Sequence, residues 1–371
     1  MTTTSAPRAV PLLLLLGALC APPAVAWDAA LIQPGPLRVR DQFLLGMGFL
    51  AFDPAVAEVL PEGEWQADLI VTATNHFARS DGVAELIEGR SQRAEVTLEE
   101  LRAAQPANGE RGTFFVDGEV YRAKVAVRRG VGRGIQVEAT LPVVSFQGGI
   151  VDSLAERFHT AFSFDQEGRL GVLRDTFTVY ARNQDRELFL PEAPDLTLGD
   201  AVVGARFRLR PAAPAPSLRM AVEALLKLPT GDTEPIASSG SVDFGVNFVM
   251  TRYSRRHYVH GSLGLLSLGR SKRLGLSSQF LLSGMLGYEG ALNPATSWLI
   301  QMTVAQTPFR ELGLSALEEP SIQATVGVKR ALGKSVVELG VTENFGSFNN
   351  APDVGFHVGW TRNFGRPAPA D

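Results

Sequence analysis

Residues 200–210 read D-A-V-V-G-A-R-F-R-L-R, and residues 218–228 read L-R-M-A-V-E-A-L-L-K-L. In both stretches apolar side chains alternate with charged or small ones, and this period of two predicts a β-strand with one apolar and one polar face. The Pro- and Ala-rich residues between them predict a turn, so the two strands form a hairpin. The polar face carries Arg206, Arg208, Arg210, Arg219 and Lys227 and must be wet. Such strands are what a transmembrane β-barrel requires.

The N-terminus has the features of a secretory signal peptide. Arg8 supplies a positive charge, Leu12 to Leu16 form an apolar centre, and Ala24-Val25-Ala26 is a small-residue cleavage motif. Cys20 is the only cysteine, and it precedes this motif. We therefore expect an exported mature chain that starts at Trp27 and has no disulfide.

Composition excludes two other classes of protein. The net charge is −4, with no concentrated basic surface of the kind that binds nucleic acid. The longest charge-free stretch, residues 290–309, contains Asn293, Pro294 and Gln301 and does not qualify as a transmembrane helix. The 37 glycines and the mean hydropathy of +0.06 fit a barrel, in which apolar and polar faces cancel.

Period-two patterns recur along the chain and predict an all-β fold, a closed antiparallel transmembrane β-barrel of about 12 strands. An even number of strands leaves both termini on the periplasmic side. The loops 76–118 and 147–199 are then extracellular, and the turns 130–134 and 211–217 are periplasmic. The predicted strands are 65–74, 119–129, 135–146, 200–210, 218–228, 242–252, 257–268, 276–289, 297–308, 320–331, 336–346 and 354–364.

The predicted domains are a signal peptide at 1–26, an N-terminal extension at 27–64, the barrel at 65–364 and a tail at 365–371. The extension is ambiguous, because it alternates briefly and then becomes evenly apolar. It is compatible with a periplasmic extension, a segment in the lumen or an extra strand. Apolar residues at helical spacing predict a short amphipathic helix at 150–162, inside the second long extracellular loop.

Aromatic residues support this topology. With both termini in the periplasm, Trp65, Tyr288, Trp298 and Trp360 all fall near the periplasmic membrane interface, where aromatic girdles lie. Phe364 ends a last strand whose pattern is typical of an assembly signal. We therefore expect contact with outer-membrane lipid and lipopolysaccharide, and with the barrel-assembly machinery through the last strand.

Short motifs add a resemblance to known families. Lys227-Leu-Pro-Thr-Gly-Asp232, together with Leu198-Gly-Asp200, resembles outer-membrane proteins assigned to phenol-degradation-pathway transport. A closer likeness is to an uncharacterised proteobacterial family of outer-membrane barrels, through Gly148-Gly-Ile-Val-Asp152, Phe158-His159, Phe162, Arg169 and Asp117-Gly-Glu-Val-Tyr-Arg122. That family often has Leu-Pro where this chain has Phe164-Asp165. The resemblance implies a barrel and an outer-membrane location, and no established substrate.

No group of residues supports catalysis, a metal or a cofactor. Ser153 and His159 lie six positions apart and so point to different sides of the predicted helix. His257 and His260 would point to opposite faces of a strand. The glycines of 130–134 are not followed by a helix, as a phosphate-binding loop requires. We therefore predict that the protein is not an enzyme.

Charged side chains on the polar strand faces are the candidates for a function. We expect them to line the lumen, with a basic arc that attracts anionic or aromatic solutes, and we expect the predicted helix to act as a gate. The pore-lining candidates are Arg122, Lys124, Arg128, Glu138, Arg206, Arg208, Arg219, Glu223 and Lys227, with Asp200 at the rim. The gate candidates are Asp152, Phe158, His159, Phe162 and Arg169.

These residues favour an outer-membrane channel or transporter for a small solute that the sequence does not identify. One alternative is a structural or surface-binding barrel whose lumen is filled. Another is a soluble periplasmic β-protein, which leaves unexplained why so many strands have one apolar and one charged face.

Overall fold

The computed structural model describes residues 33–365, except for 108, 164, 185, 195, 210–216, 234–235, 273 and 345–349. The predicted signal peptide and the tail beyond residue 365 lie outside the described residues, as does the side chain of Phe162.

The described chain forms one sheet of 15 strands. They are β1 (Trp65–Arg79), β2 (Thr113–Gly132), β3 (Ile135–Gln147), β4 (Thr178–Arg182), β5 (Glu187–Leu190), β6 (Thr197–Leu198), β7 (Ala201–Arg208), β8 (Ser217–Leu228), β9 (Asp243–Tyr253), β10 (His257–Leu268), β11 (Gln279–Asn293), β12 (Thr296–Ala305), β13 (Ser321–Leu332), β14 (Ser335–Asn344) and β15 (Val354–Phe364).

Within the described residues, 12 of these strands close into an antiparallel barrel. β1, β2, β3 and then β7 to β15 each pair with their neighbours, and β1 pairs with β15 from Trp65 opposite Phe364 to Asn75 opposite Val354. The predicted fold class is therefore confirmed. β4 and β5 extend the outer end of β2, and β6 pairs with two residues of β3, so none of these three belongs to the barrel wall.

Helices occur only in the loops of the described chain: α1 (Asp81–Ile87), α2 (Leu98–Ala103), α3 (Asp152–Phe162) and α4 (Ser315–Glu318). Thr97 caps α2, since its side chain accepts a hydrogen bond from the Glu100 backbone while the Glu100 carboxylate accepts one from Thr97. α3 lies in the loop predicted to hold the amphipathic helix. Among the described residues, no helix is both long enough and apolar enough to cross a membrane.

The first hairpin is longer than its sequence pattern predicts. The prediction placed all of 76–118 in a loop, but β1 continues to Arg79 and β2 already begins at Thr113. The reason is a tertiary one: Phe77, Phe115 and Tyr180 pack into a buried cluster with α1 and α2, which extends the ladder past the polar residues.

The outer face of the barrel is apolar. Leu263 and Phe280 are each 71% exposed, and Leu69, Val71 and Val125 are also exposed on the faces of their strands that point away from the lumen. Apolar side chains at this density around a closed wall are stable only in contact with hydrocarbon. The inner face is polar and is covered by residues 33–60, which are described in the next section.

The lipid-facing wall gives a depth-dependent prediction. Val71 lies six residues beyond Trp65 on β1, near the middle of the apolar band, whereas Leu218 is the second residue of β8, at the periplasmic rim. Val71→Arg should lower the free energy of unfolding by about 2–4 kcal/mol, and the control Leu218→Arg by about 0–1 kcal/mol. Urea unfolding in detergent, followed on gels of unheated samples, measures both. Equal effects of the two substitutions would contradict this orientation of the wall.

Candidate functional site: the plugged lumen

The lumen of the barrel is occupied by residues 33–60, which we call the plug segment. Gly35 lies beside Glu289, near the periplasmic end of β11. The Phe43 ring contacts His76 and Phe309 at the outer end of the barrel, with ring centroids 5.9 and 6.0 Å away. The chain then returns, and the Leu60 amide donates to Gln136 near the periplasmic start of β3. The plug segment therefore crosses the lumen twice, through an ascending limb (33–42), a tip (43–50) and a descending limb (51–60).

Side chains of the wall hydrogen-bond the backbone of the ascending limb. The Gly35 amide donates to Glu289 Oε2 at 2.7 Å, and Lys329 Nζ donates to the Gly35 carbonyl at 2.7 Å. Gln301 accepts from the Leu37 amide at 2.9 Å and donates to the Leu37 carbonyl at 3.0 Å. The limb thus satisfies its backbone groups without a strand partner, as a buried chain must.

Arg38 is the main charge of the ascending limb. Its guanidinium donates to Asp68 on β1 and to Thr361 on β15, and it lies 3.5 Å from Glu338 Oε2 on β14. The side chains of Asp68 and Glu338 are almost completely buried. Arg38 therefore compensates two carboxylates that the wall buries at the seam between its first and last strands.

The tip forms an apolar core in the outer half of the lumen. Phe43, Leu44 and Leu45 are buried against apolar side chains of the wall and of the outer loops. Gly48 lies directly against the loop 229–242, where a Cβ atom on it would approach the Ser238 carbonyl carbon to 2.6 Å. The tip therefore closes the outer half of the lumen through close packing of apolar side chains. The other members of the core include Met47, Phe49, Leu50, Val120, Val144, Leu225, Leu266, Leu281 and Phe309.

The predicted basic arc holds the tip and the descending limb. Lys124 is ion-paired with Asp53, and Arg219 with Glu58. Arg206 donates to the Val56 carbonyl at 3.2 Å. Lys227 donates to the Gly48 carbonyl at 2.7 Å. Four predicted lining residues from three strands thus contact the plug segment.

The same basic residues are also paired within the wall. Arg206 forms an ion pair with Glu223, and Lys227 lies 2.6 Å from Asp200 and 3.1 Å from Asp243. Among the remaining predicted lining residues, Arg128 pairs with Asp68 and lies 2.9 Å from Glu138. Arg122 is buried on the same inner face, and Arg208 is exposed at the periplasmic rim. The arc is therefore largely neutralised while the plug segment is in place.

Sequence reasoning missed most of the acidic partners. Asp68 stood on the polar face of the first predicted strand and was visible in the alternation. Asp53 and Glu58 lie in a segment without periodicity, so nothing in the sequence indicated which basic residues they meet. Glu289 and Glu338 each accept hydrogen bonds from both the plug segment and a wall histidine, His260 and His357, at 3.1 Å.

A cavity of about 640 Å³ remains at the periplasmic end of the lumen. It is lined by the plug segment and by charged wall residues of both signs, including Arg128, Glu138, Arg206 and Glu338. The lumen is thus polar and open on the periplasmic side of the tip and apolar at the tip itself.

The predicted gate residues fall into two groups above the barrel. Arg169 donates to Asn75 of β1 at 2.7 Å, lies 3.3 Å from Asp152 of α3, and pairs with Asp353 in the loop before β15. Its guanidinium also lies 4.9 Å from the centre of the Phe77 ring. Arg169 therefore joins the helix loop to the first and last strands of the barrel.

The second group lies at the end of α3. His159 Nδ1 is 2.9 Å from the Asp165 carbonyl, and burial lowers the pKa of this imidazole. The Phe158 ring is half-buried beside His159. The side chain of Phe162 lies outside the described residues. A gating role for these residues stays a prediction.

Two carboxyl groups near Arg169 hold protons at unusually high pH. Burial, and then the nearby Asp353, raise the pKa of Glu167 to about 7. Burial and the charge of Asp152 raise the pKa of Asp353 to about 6, against the opposing effect of Arg169. We therefore expect the outer loops to respond to pH close to neutrality.

The predicted interface aromatics gather at the periplasmic end of the outer wall. Trp65 and Phe364 face each other across the β1–β15 seam, and both are 42% exposed. Trp360 lies two residues before Arg362 on the same face of β15. Tyr288 and Trp298 pack together on β11 and β12, with ring centroids 5.3 Å apart.

Sequence comparison assigns the chain to a family. The model of the family described as "Protein of unknown function (DUF3187)" matches residues 12–364. The chain belongs to this family. The predicted resemblance to an outer-membrane barrel family of unknown function is confirmed. No curated protein sequence matches the chain.

A solved structure shows the same fold. The crystal structure of an outer-membrane channel from Pseudomonas putida F1 is similar at a TM-score of 0.51 and 10% identity, over 83% of this chain and 98% of that chain. The toluene transporter TodX from P. putida is more distant, with a TM-score of 0.40 and 9% identity over 83% of this chain and 91% of that chain. The predicted barrel fold is therefore confirmed.

Arg38 gives the first prediction about the site. Arg38→Met removes the guanidinium that Asp68 and Glu338 share and leaves Asp68 paired with Arg128 alone. Breaking a buried ion pair costs up to about 3–5 kcal/mol. We expect the plug segment to open locally, because the wall keeps its own backbone ladder. Hydrogen exchange should accelerate at 33–60 and stay slow in β1 and β15. Unchanged exchange at 33–60, or equal acceleration in the strands, would contradict this role. Arg129→Met, on the lipid face, is the matched control.

Glu167 gives a prediction about pH. Its pKa is about 7 when folded against an ordinary value of 4.5, so the closed loop gains most stability below pH 4.5 and loses that gain as the pH rises to about 7. We expect hydrogen exchange of residues 148–177, corrected for intrinsic rates, to accelerate from pH 5.5 to pH 7.5. Glu167→Gln should remove the part of this change above pH 6, leaving the part due to Asp353.

The control for this experiment is Glu88→Gln. Glu167 lies 3.3 Å from Arg79. Glu88 pairs with the same arginine at 2.6 Å, but its side chain is 56% exposed. Glu88→Gln should leave the pH dependence of hydrogen exchange unchanged. Identical profiles for the wild-type protein and Glu167→Gln would show that this carboxyl does not control the loop.

Proposed function

We propose that the protein is a plugged outer-membrane channel for small solutes, which conducts when the plug segment rearranges. The observation that carries this proposal is the double passage of residues 33–60 through the lumen. A bore that admits two extended limbs of chain is wide enough for a small solute once they move. A barrel of about eight strands can fill its interior with its own side chains, whereas a wider barrel encloses space for a solute or a plug.

The way in which the plug segment is held supports a reversible role. Its limbs contact the wall through ion pairs and single hydrogen bonds to side chains, such as Lys124–Asp53 and Gly35–Glu289. It forms no continuous ladder with any barrel strand of the described chain. Water can replace such contacts one at a time, and the cavity at the periplasmic end brings water to both limbs.

The basic arc suggests the class of solute. When the descending limb leaves, Lys124 and Arg219 lose Asp53 and Glu58, while Arg122 stays on the same wall. The open path then carries excess positive charge on neighbouring strands, and rings or arcs of charge bias a pore toward ions of the opposite sign. We infer that the open channel prefers anionic solutes.

The second candidate is a structural or surface-binding barrel without transport. The apolar tip favours it, because separating Phe43, Leu44 and Leu45 from the wall exposes buried apolar surface. The outer loops also pack into a cap of their own around α1 and α2.

Conductance in planar bilayers decides between the two. Cys20 is the only cysteine and precedes the expected cleavage site, so cysteine pairs can be introduced without background. The Ala57 amide donates to Thr251 Oγ1 at 3.2 Å, which makes Ala57→Cys/Thr251→Cys a suitable cross-link between plug segment and wall. We expect the oxidised variant to be silent and the reduced variant to conduct like the wild-type protein. Each single-cysteine variant is a control.

Loosening the plug segment is the converse experiment. Asp53→Asn/Glu58→Gln removes both carboxylates that hold the descending limb, and deletion of 33–60 removes the segment entirely. Both should raise the open probability, by about tenfold for each 1.4 kcal/mol lost from the closed state. Absence of conductance in the reduced, loosened and deleted forms, all heat-modifiable on gels, would establish the structural alternative.

Ion selectivity tests the solute class separately. In a salt gradient, the reversal potential of Asp53→Asn/Glu58→Gln should indicate anion preference, and adding Lys124→Gln/Arg219→Gln should weaken it. A cation preference in the loosened channel would contradict the inferred class while leaving the channel itself intact.

A further inference from the structure

Four arginines form a ring on the outer wall of the barrel, which we call the basic belt: Arg129 on β2, Arg252 on β9, Arg330 on β13 and Arg362 on β15. All four are exposed. Each follows an exposed apolar residue two positions earlier on the same face of its strand, and those residues are Val127, Met250, Val328 and Trp360. The basic belt therefore faces lipid, and the strand directions place it at the periplasmic edge of the apolar wall.

The neighbouring turns have the same sign of charge. Arg133, Arg255, Arg256 and Lys334 lie in the periplasmic turns that follow β2, β9 and β13. In the described part of all five periplasmic turns, residues 133–134, 209, 254–256, 294–295 and 333–334, there is no acidic residue. The nearby Glu62 and Glu64 line the cavity inside the barrel. The outer surface at this level is therefore strongly positive.

The wall does not neutralise the basic belt. Within the described residues, none of its four arginines forms an ion pair, in contrast to the paired arginines of the lumen. Instead, the guanidinium of Arg129 lies 4.9 Å from the centre of the Trp65 ring, and that of Arg362 lies 5.6 Å from Phe364. Contact with an aromatic face orients a guanidinium and leaves its N–H groups available to a further partner.

Depth in the membrane identifies that partner. The aromatic side chains next to the basic belt mark the level of the lipid headgroups. Long basic side chains at this level extend toward the interface. The groups found there are phosphates, which a guanidinium binds through paired hydrogen bonds. A lipid with net negative charge gains more from this surface than a zwitterionic lipid, whose own cation competes for the phosphate.

We propose that the basic belt is a binding surface for anionic phospholipids of the periplasmic leaflet, with a phosphatidylglycerol-like headgroup as its ligand. The belt gathers such lipids around the periplasmic rim and fixes the depth of the barrel in the membrane. The proposal is independent of transport, because the belt lies on the outer wall and shares no residue with the plug segment or the lumen.

Tryptophan fluorescence tests the proposal directly. The sequence has four tryptophans, and Trp27→Phe leaves Trp65, Trp298 and Trp360, which all lie near the basic belt. This variant is reconstituted in vesicles that contain equal amounts of phosphatidylglycerol and phosphatidylcholine, with bromine on only one of the two lipids. Bromine quenches tryptophan on contact, so the ratio of the two quenching values reports which lipid occupies the belt.

We expect brominated phosphatidylglycerol to quench about twofold more than brominated phosphatidylcholine at low salt. The ratio should fall toward one at about 0.5 M salt, which screens exposed charges. It should also fall to one in the variant Arg129→Gln/Arg252→Gln/Arg330→Gln/Arg362→Gln. The salt titration of the parent protein tests the proposal even where the fourfold variant does not assemble.

The matched control removes four exposed basic residues from the extracellular loops: Arg157→Gln/Arg270→Gln/Lys272→Gln/Arg310→Gln. It changes the net charge by the same amount and should keep the twofold ratio. An equal loss in this control would show that only net charge matters and would overturn the proposal. A ratio of one in the parent protein at low salt would also overturn it, and the belt would then be a surface for an acidic periplasmic protein.

Discussion

The backbone ladder between β1 and β15 is the constraint on which the rest of the structure depends. In hydrocarbon, each unpaired N–H or C=O group costs several kcal/mol, so a spanning sheet is stable only when its first and last strands meet. Closure gives the wall two continuous faces, an outer one solvated by lipid and an inner one that lipid cannot reach. Each residue of a barrel strand then belongs to one face or the other, which is why the chain alternates so regularly.

Closure also creates a space that must be filled by water or protein. A wall of 12 strands encloses more volume than its own side chains occupy. The two limbs of the plug segment run along this space, and its tip fills the outer half. The wall and the plug segment carry complementary charges: Arg38 meets Asp68 and Glu338, whereas Asp53 meets Lys124. Each buried charge would be costly alone. Wall and plug segment therefore depend on each other for charge compensation.

The two ends of the barrel differ in polarity and in how they are closed. The outer end is closed by apolar packing of the tip and by loops tied to the rim through Arg169, Asp152 and Asp353. The periplasmic end has the polar cavity inside and the basic belt outside. The cavity thus reaches the plug segment from the periplasmic side, whereas burial raises the pKa of two loop carboxyl groups, Glu167 and Asp353, at the outer side.

The sequence by itself determined the barrel. Alternation is a local property, so β7 and β8 could be predicted from the pattern of residues 200–228. The even strand count followed from applying the same pattern along the rest of the chain. The level of Trp65 and Trp360 at the periplasmic interface followed from strand direction alone. The ends of the strands were harder to predict. β1 continues to Arg79 because Phe77 packs on loop helices, and the residues next to Phe77 in the sequence do not indicate that contact.

Only the tertiary structure decided what fills the lumen. The plug segment has no ladder of its own and hence no period, so its sequence was compatible with three locations. Its partners lie far away in the chain, as Arg38 and Glu338 or Gly35 and Glu289 show. The alternation placed Lys124 and Arg219 on the inner wall, but their charge state depends on Asp53 and Glu58. Periodicity predicts which face of the wall a side chain lies on. Which residue it meets across the lumen depends on how the whole chain folds into the closed barrel.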